Sequence, residues 1–378
     1  MKPTRKEPTF TFGIEEEYHL VDLATRDLAA APQALMDACA AAFGKRFSAE
    51  ALKSQVEIGT PICSTSAEAR GEIARLRTGV GAIAKSHGLA PLAASTHPFG
   101  DWRRLQTTDK ERYQALARDL AIVGRRLAVC GMHVHVAIED DDLRIDLMNQ
   151  MRYFLPHLLV LATSSPFWDG ADTGLKSYRL AVTDETPRTG MPGRFAGWGE
   201  YQRTVGVLVD AGIIEDASKI WWDLRPSANY PTLEMRITDV CPRIEDAIAI
   251  AAIYRCLCRT LYRLRRDNQS WRQYPVFLLE ENRWRAQRYG VTGTLFDLGK
   301  GVLVPFKSLM EEILVLIADD AAHFGCEAEV AHARTIVSHG TSADRQVAAY
   351  TAARTAGASN REALGAVVDA IVGETLAV

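Results

Sequence analysis

Phe10-Thr11-Phe12-Gly13-Ile14-Glu15-Glu16-Glu17-Tyr18-His19-Leu20-Val21 is the stretch whose alternation decides the fold. Phe10, Phe12, Ile14, Tyr18 and Leu20 fall on one face of an extended strand, interrupted only by Glu16. Thr11, Gly13, Glu15, Glu17 and His19 fall on the other. So regular an apolar face predicts a well-buried strand. Two carboxylates side by side on its opposite face repel one another unless a cation sits between them. A solvated strand face is the plain alternative for this pair alone.

The same two-faced pattern recurs. Residues 53–59, 128–138, 220–225 and 232–239 read as strands, and 89–95 as a more fully buried one. In Gly131-Met132-His133-Val134-His135-Val136, the two imidazoles share a face opposite Cys130, Met132, Val134, Val136 and Ile138. Glu234 and Arg236 share a face opposite Leu233, Met235 and Ile237, and Gln55 lies with Glu57. Taken singly, each is also what a hydrogen-bonded core histidine or a structural ion pair looks like. Together they put Glu, His or Arg on one face of four separate strands. Lining one concave side of a sheet, these faces form an oxygen-rich pocket that suits Mg2+ or Mn2+, not zinc. An arginine beside such a pocket matches phosphate oxygens with its planar fork, and the combination points to phosphoryl transfer.

Helical periodicity covers 32–43, 66–87, 109–122, 141–163, 243–266, 276–289, 303–323 and the Ala-rich C-terminal portion. Asp141 or Asp142 is placed to cap the fourth helix, and Pro242 to sit in the first turn of the fifth. Residues 164–199, rich in Gly, Pro and Thr, show no period and read as a long functional loop. Strands interleaved with helices make the fold class α+β. With no linker, repeat or composition break, residues 1–378 read as one catalytic domain. Its last part, about 300–378, is a helical outer layer or a dimer contact.

A net charge of −3, from 44 basic and 47 acidic residues, gives no general field for nucleic acid or an anionic membrane. No apolar run is long enough to span a bilayer and none follows the basic opening residues as in a secretory leader, so a cytoplasmic location is expected. The 7 cysteines sit mostly in apolar stretches and read as reduced, buried thiols. Gly79-Val80-Gly81-Ala82-Ile83-Ala84 follows a helical pattern and is no dinucleotide fingerprint. No phosphate-binding P-loop is present, because Gly44-Lys45 is followed by Arg46 and Gly299-Lys300 by Gly301.

The blocks GIEEEYHLVD, GMHVHVAI, SSPFWDGADTGLKSYR and WWDLRPSANYPTLEMRITDV resemble the signature segments of type 2 glutamate–cysteine ligases, also described as carboxylate–amine ligases, in the glutamine synthetase-like superfamily. The resemblance runs from about residue 10 to about 290. It implies a curved, mainly antiparallel sheet backed by helices. It implies metal ligation by Glu15, Glu17, Glu57, His133 and Glu234, and places His135 near the nucleotide. It also implies that Arg236 holds the transferred phosphate and that Arg179, with Ser177 and Tyr178, and Arg225 lie near substrate carboxylate or phosphates.

The implied cofactors are ATP and Mg2+, with Mn2+ as a substitute, and the implied partners are small carboxylates and amines. Glutamate and cysteine are the default pair, and a homodimer is reasonable. A carboxylate acylates poorly, so the implied route activates it as an acyl phosphate that an amine then attacks, with the 164–199 loop as a lid against water. Asp172 and Asp184 are candidate bases, although loop aspartates mostly form turns. Three rivals stand: a kinase of the phosphagen type, whose loops should lack the Ser177-Tyr178-Arg179 block, a catalytically silent binding protein of the same fold, and an amidohydrolase. The amidohydrolase needs further strand histidines, whereas His157, His323, His332 and His339 fall in helical patterns.

Overall fold

A computed structural model describes residues 6–378. Its centre is a seven-stranded sheet. β1 (Phe12–Asp22), β2 (Phe47–Ala49), β3 (Gln55–Gly59), β4 (Leu89–Leu92), β5 (Met132–Ala137), β6 (Leu224–Pro226) and β7 (Thr232–Met235) run in the order β6-β7-β5-β1-β3-β2. β4 pairs with β1 beyond the reach of β5, and every pairing in the sheet is antiparallel. The expected strands are present with shifted bounds, except that the one expected over 220–225 is two, Trp221–Trp222 outside this sheet and β6 within it, and the α+β class holds.

Phe12, Ile14, Tyr18, Val56, Ile58, Met132, Val134, Val136, Leu233 and Met235 form the apolar face, each at most 2% exposed. Helices cover it: α1 (Gln33–Phe43), α2 (Ser66–Ser86), α4 (Asp141–Met151), α5 (Leu155–Ala162) and α8 (Ile244–Arg266), with α8 packed against β5, α2, α4 and α5. α3 (Glu111–Arg126), α6 (Tyr178–Thr183) and α7 (Trp198–Asp210) lie between them in sequence, and α9 (Val276–Tyr289) follows α8.

Glu16, the interruption on the apolar face, is fully buried. Arg77 of α2 grips both its oxygens at 2.9 and 2.7 Å, Tyr18 donates its hydroxyl to it, and Arg77 also donates to the carbonyls of Cys241 and Pro242. A buried pair repays its desolvation only when every remaining donor is satisfied. Here the satisfaction ties sheet, α2 and the entry to α8 together.

Several boundaries differ from the sequence reading. The single helix expected over 141–163 is two, because Pro156 falls in the first turn of α5, where its missing N–H does no harm but continuation of α4 is blocked. The cap of α4 is Asp140, whose carboxylate accepts from Leu143 N at 2.8 Å. Pro242 precedes Arg243, the N-cap of α8, so it lies outside the helix. The helix expected over 303–323 is a hairpin strand, Val302–Pro305, and two helices, Phe306–Leu316 and Ala318–Phe324.

Residues 164–199 are not an open loop. They contain the pair Phe167–Trp168 and Ala171–Asp172, α6, and Thr189–Gly190 paired in parallel with Trp221–Trp222. Asp239 fastens the segment, accepting from Ser164 N, Ser165 Oγ and Ser177 Oγ at 2.8–2.9 Å. Elements this short carry no legible period.

The C-terminal helices lie against the sheet. Leu364, Val367, Val368 and Ile371 pack on Val21, Ala90, Leu92 and Phe167, and Gln346 donates to Ser164 O at 2.8 Å. All seven cysteines are buried and free. Among the described residues no helix is long and apolar enough to cross a membrane.

Candidate active site

Register brings the polar faces together in three rows. Arg225 pairs with Glu234, and Glu234 with His135, which faces Gly13. His133 faces Glu15, which on its other side faces Gly59. Glu17 faces Glu57, which faces Ser48. Five strands thus deliver one continuous band of carboxylate, imidazole and guanidinium, turned away from the helices that cover the apolar face.

Within the band, His133 Nδ1 lies 3.4 Å from Glu15 Oε2 and His133 Nε2 lies 3.8 Å from Glu17 Oε1. His135 Nε2 is 3.5 Å from Glu15 Oε1 and has no hydrogen-bond partner, while its Nδ1 meets Thr232 Oγ1 at 3.0 Å. Two clusters bring ligand atoms within 4.8 Å of one another: Glu15, Glu57 and His133, and Glu17, Glu50 and Glu57. Glu50 was not foreseen. It follows the three-residue β2, too short for periodicity to reveal; the readable signal is the β2–β3 hairpin, which returns Glu50 N to within 3.4 Å of Gln55 O.

The electrostatics fit a cation-binding cage. Burial, then the charges of Glu50, Glu15 and Glu17, push the Glu57 carboxyl well above the ordinary range. Burial works the same way on Glu15, but the adjacent imidazoles of His133 and His135 outweigh it and hold that carboxyl low. His133 is lowered by burial and by the Arg236 charge; His135 is raised, Glu15 and Glu234 overcoming burial. Crowded carboxylates with few donors to satisfy them are a donor set for hard divalent cations.

Glu234 lies outside both clusters. Arg225 holds its two oxygens at 2.9 and 3.1 Å, and Arg236 donates to Oε1. Burial opposes its ionisation, but the Arg236 and Arg225 charges keep the carboxyl low. Arg225 also donates to the carbonyls of Ser218 and Ile220. Arg236 lies 3.3 Å from His133 Nδ1 and reaches the open site. Ser177 is fully buried on Asp239, and Tyr178 packs on Trp168 with ring centroids 5.5 Å apart. Asp172 is exposed and holds Gly174 N, and Asp184 is engaged by Arg283. His157, His323 and His339 lie in helices and His332 between two, and none joins the clusters.

Two cavities meet at the band. One, of about 530 Å³, is lined by Glu15, Glu57 and His135 together with Arg46, Ile62 and Tyr230. The other, of about 170 Å³, is lined by Glu17, Glu50, His133, Arg179 and Arg236, with Leu116, Leu127 and Trp221 as apolar wall. The acids and imidazoles form the partition between them.

Comparison with known proteins supplies independent bearings. The sequence profile of a family described as glutamate-cysteine ligase family 2 matches residues 11–370. A relative from Rhodospirillum rubrum, provisionally named glutamate–cysteine ligase 2, is 58% identical over 377 residues, covering 98% of this chain and 97% of its own. Another from Jannaschia, under the same provisional name, is 53% identical over 369 residues, with 98% and 97% covered. Among solved structures, a glutamate–cysteine ligase from Francisella tularensis in complex with AMP superposes with TM-score 0.69 at 13% identity, covering 99% of this chain and 90% of its own. A bifunctional glutathione synthetase from Pasteurella multocida superposes with TM-score 0.67 at 17% identity, covering 97% of this chain and 52% of its own, so this chain spans about half of that protein. At those identities the two structures speak for the fold alone.

Proposed function

The chain belongs to glutamate–cysteine ligase family 2, and from that premise we propose that it joins a carboxylate to an amine at the expense of ATP, through an acyl phosphate. One observation carries the reading: the acid–imidazole band is a partition with a nucleotide-sized cavity on one side and a smaller one, bordered by Arg179 and Arg236, on the other. A nucleotide in the 530 Å³ cavity, phosphates against the band, presents its terminal phosphate to a carboxylate in the 170 Å³ cavity.

Each group has a task in this proposal. Glu15, Glu17, Glu50, Glu57 and His133 hold Mg2+ or Mn2+, which neutralises phosphate charge when bound. Arg236 takes the oxygens of the phosphoryl group in transfer, and Glu234 fixes that guanidinium in place. His135, which lines the larger cavity, borders the nucleotide side. Arg179, on the smaller cavity, orients the carboxylate substrate. The carboxylate oxygen attacks the terminal phosphorus and ADP leaves; the amine nitrogen then attacks the acyl carbon and phosphate leaves with its oxygen. Glutamate and cysteine are the substrates proposed first.

A phosphate-release screen with ATP and Mg2+ across carboxylate–amine pairs tests the reading. It expects release that needs both partners and yields an amide. Release independent of any amine argues against a ligase, and no release with any pair argues for the silent binding protein.

A further inference from the structure

Arg283 on α9 lines neither cavity and is 4% exposed, yet it joins α6, which carries Arg179, to Asp223, whose carbonyl holds the backbone of Arg236. It donates to both oxygens of Asp223 at 2.6 and 3.2 Å and to both oxygens of Asp184 at 2.6 and 2.8 Å. Asp184 caps the C-terminus of α6, whose second residue is Arg179. Asp223 precedes β6, and its carbonyl accepts from the amides of Arg236 and Ile237 at 2.8 and 3.1 Å. Arg179 in turn donates to the carbonyls of Arg236 and Ile237 at 2.9 and 3.1 Å. The result is a closed ring. The Arg236 peptide is held from its N–H side by Asp223 and from its carbonyl side by Arg179, and Arg283 sets the distance between those two holders.

We propose that Arg283 is a positioning residue for phosphoryl transfer, acting through Asp223 and α6 to fix Arg236 and Arg179 against the smaller cavity. The bidentate fork on each carboxylate suits this task, since two paired hydrogen bonds define an orientation as well as a distance. Arg236 lies just past the end of β7, and the carbonyl that holds its amide belongs to Asp223, just before the three-residue β6. The inference rests on the ligase reading only for its nucleotide readout.

Three variants of the full chain test it: Arg283→Lys, which keeps the charge and loses the forks; Asp184→Asn, which weakens one arm; and Arg236→Lys. Amide exchange by NMR is read at Arg236 and Ile237 against Val134 in the same sheet. Binding of Mg·ADP is compared with binding of Mg·ADP plus aluminium fluoride, a mimic of the phosphoryl group in transfer. In Arg283→Lys we expect exchange at Arg236 and Ile237 to rise about tenfold with Val134 unchanged. We expect Mg·ADP affinity within about twofold of wild type and fluoride-complex affinity down about tenfold. Asp184→Asn moves the same way by less, and Arg283→Lys combined with Arg236→Lys loses no more than Arg236→Lys alone. Unchanged exchange at Arg236 and Ile237, or losses that simply add, overturns the proposal. A wild-type chain that binds neither nucleotide complex sinks the ligase reading instead, and the exchange comparison then decides the positioning claim alone.

Discussion

Glu57 carries the plainest consequence of crowding. Its folded-state carboxyl is raised by burial and by Glu50, Glu15 and Glu17, so in metal-free protein it holds a proton that the unfolded chain releases. Its contribution to stability is therefore present below the ordinary glutamate value of 4.5 and is lost as pH rises through the raised one. Metal-free Glu57→Gln is expected to become more stable relative to wild type as pH climbs from about 4.5 toward neutrality. Its Mg2+ affinity should be at least about tenfold weaker. Thermal melts across pH, with and without Mg2+, check both; parallel stability curves would contradict the repulsion. Gly131 is a second case. A Cβ there would lie 2.6 Å from an Arg179 guanidinium nitrogen, so Gly131→Ala must displace Arg179 from the carbonyls it holds. The expected cost is ~1–3 kcal/mol, with a raised KM for the carboxylate. Glu15, Glu17, Glu57, His133, His135, Glu234 and Arg236 were all legible because alternation alone assigns them a face. Glu50, Asp223 and Arg283 were not, since each acts through a turn or a contact distant in sequence.

At the scale of elements, β1 was read nearly to its ends because every second residue along it is committed to a core or to the band. The irregularity at Glu16 also had a meaning that alternation could flag but not explain, since its partner Arg77 lies on a helix 61 residues away. Removing that partner leaves a buried carboxylate. Arg77→Ala is expected to lose ~3–5 kcal/mol in denaturant unfolding, with turnover per folded molecule unchanged, because neither residue borders a cavity. A loss below about 1 kcal/mol would show that the pair behaves like a surface one. Residues 164–199 were the least legible part. Their order comes from Asp239 and from pairing with distant strands, not from any local period. Anchored so, they line the smaller cavity through Arg179, Leu180, Thr183, Thr186 and Thr189 as a wall.

For the whole molecule, the C-terminal helices decide how many units unfold. Leu364, Val367, Val368 and Ile371 cover the far end of β1 and β4, and Ala93 N donates to Thr375 Oγ1 at 3.1 Å. Sheet and C-terminal helices are therefore expected to unfold in one cooperative transition, and a chain ending at residue 341 to lose it; two separated calorimetric transitions would show a second domain. The account as a whole depends on the band being a cation cage between two substrate cavities. Anomalous scattering from crystals soaked with Mn2+ and a non-hydrolysable ATP analogue tests this most directly. The account predicts Mn2+ at Glu15–Glu57–His133 and at Glu17–Glu50–Glu57, with the nucleotide in the 530 Å³ cavity. Mn2+ bound elsewhere, or a nucleotide lodged away from the band, would contradict it.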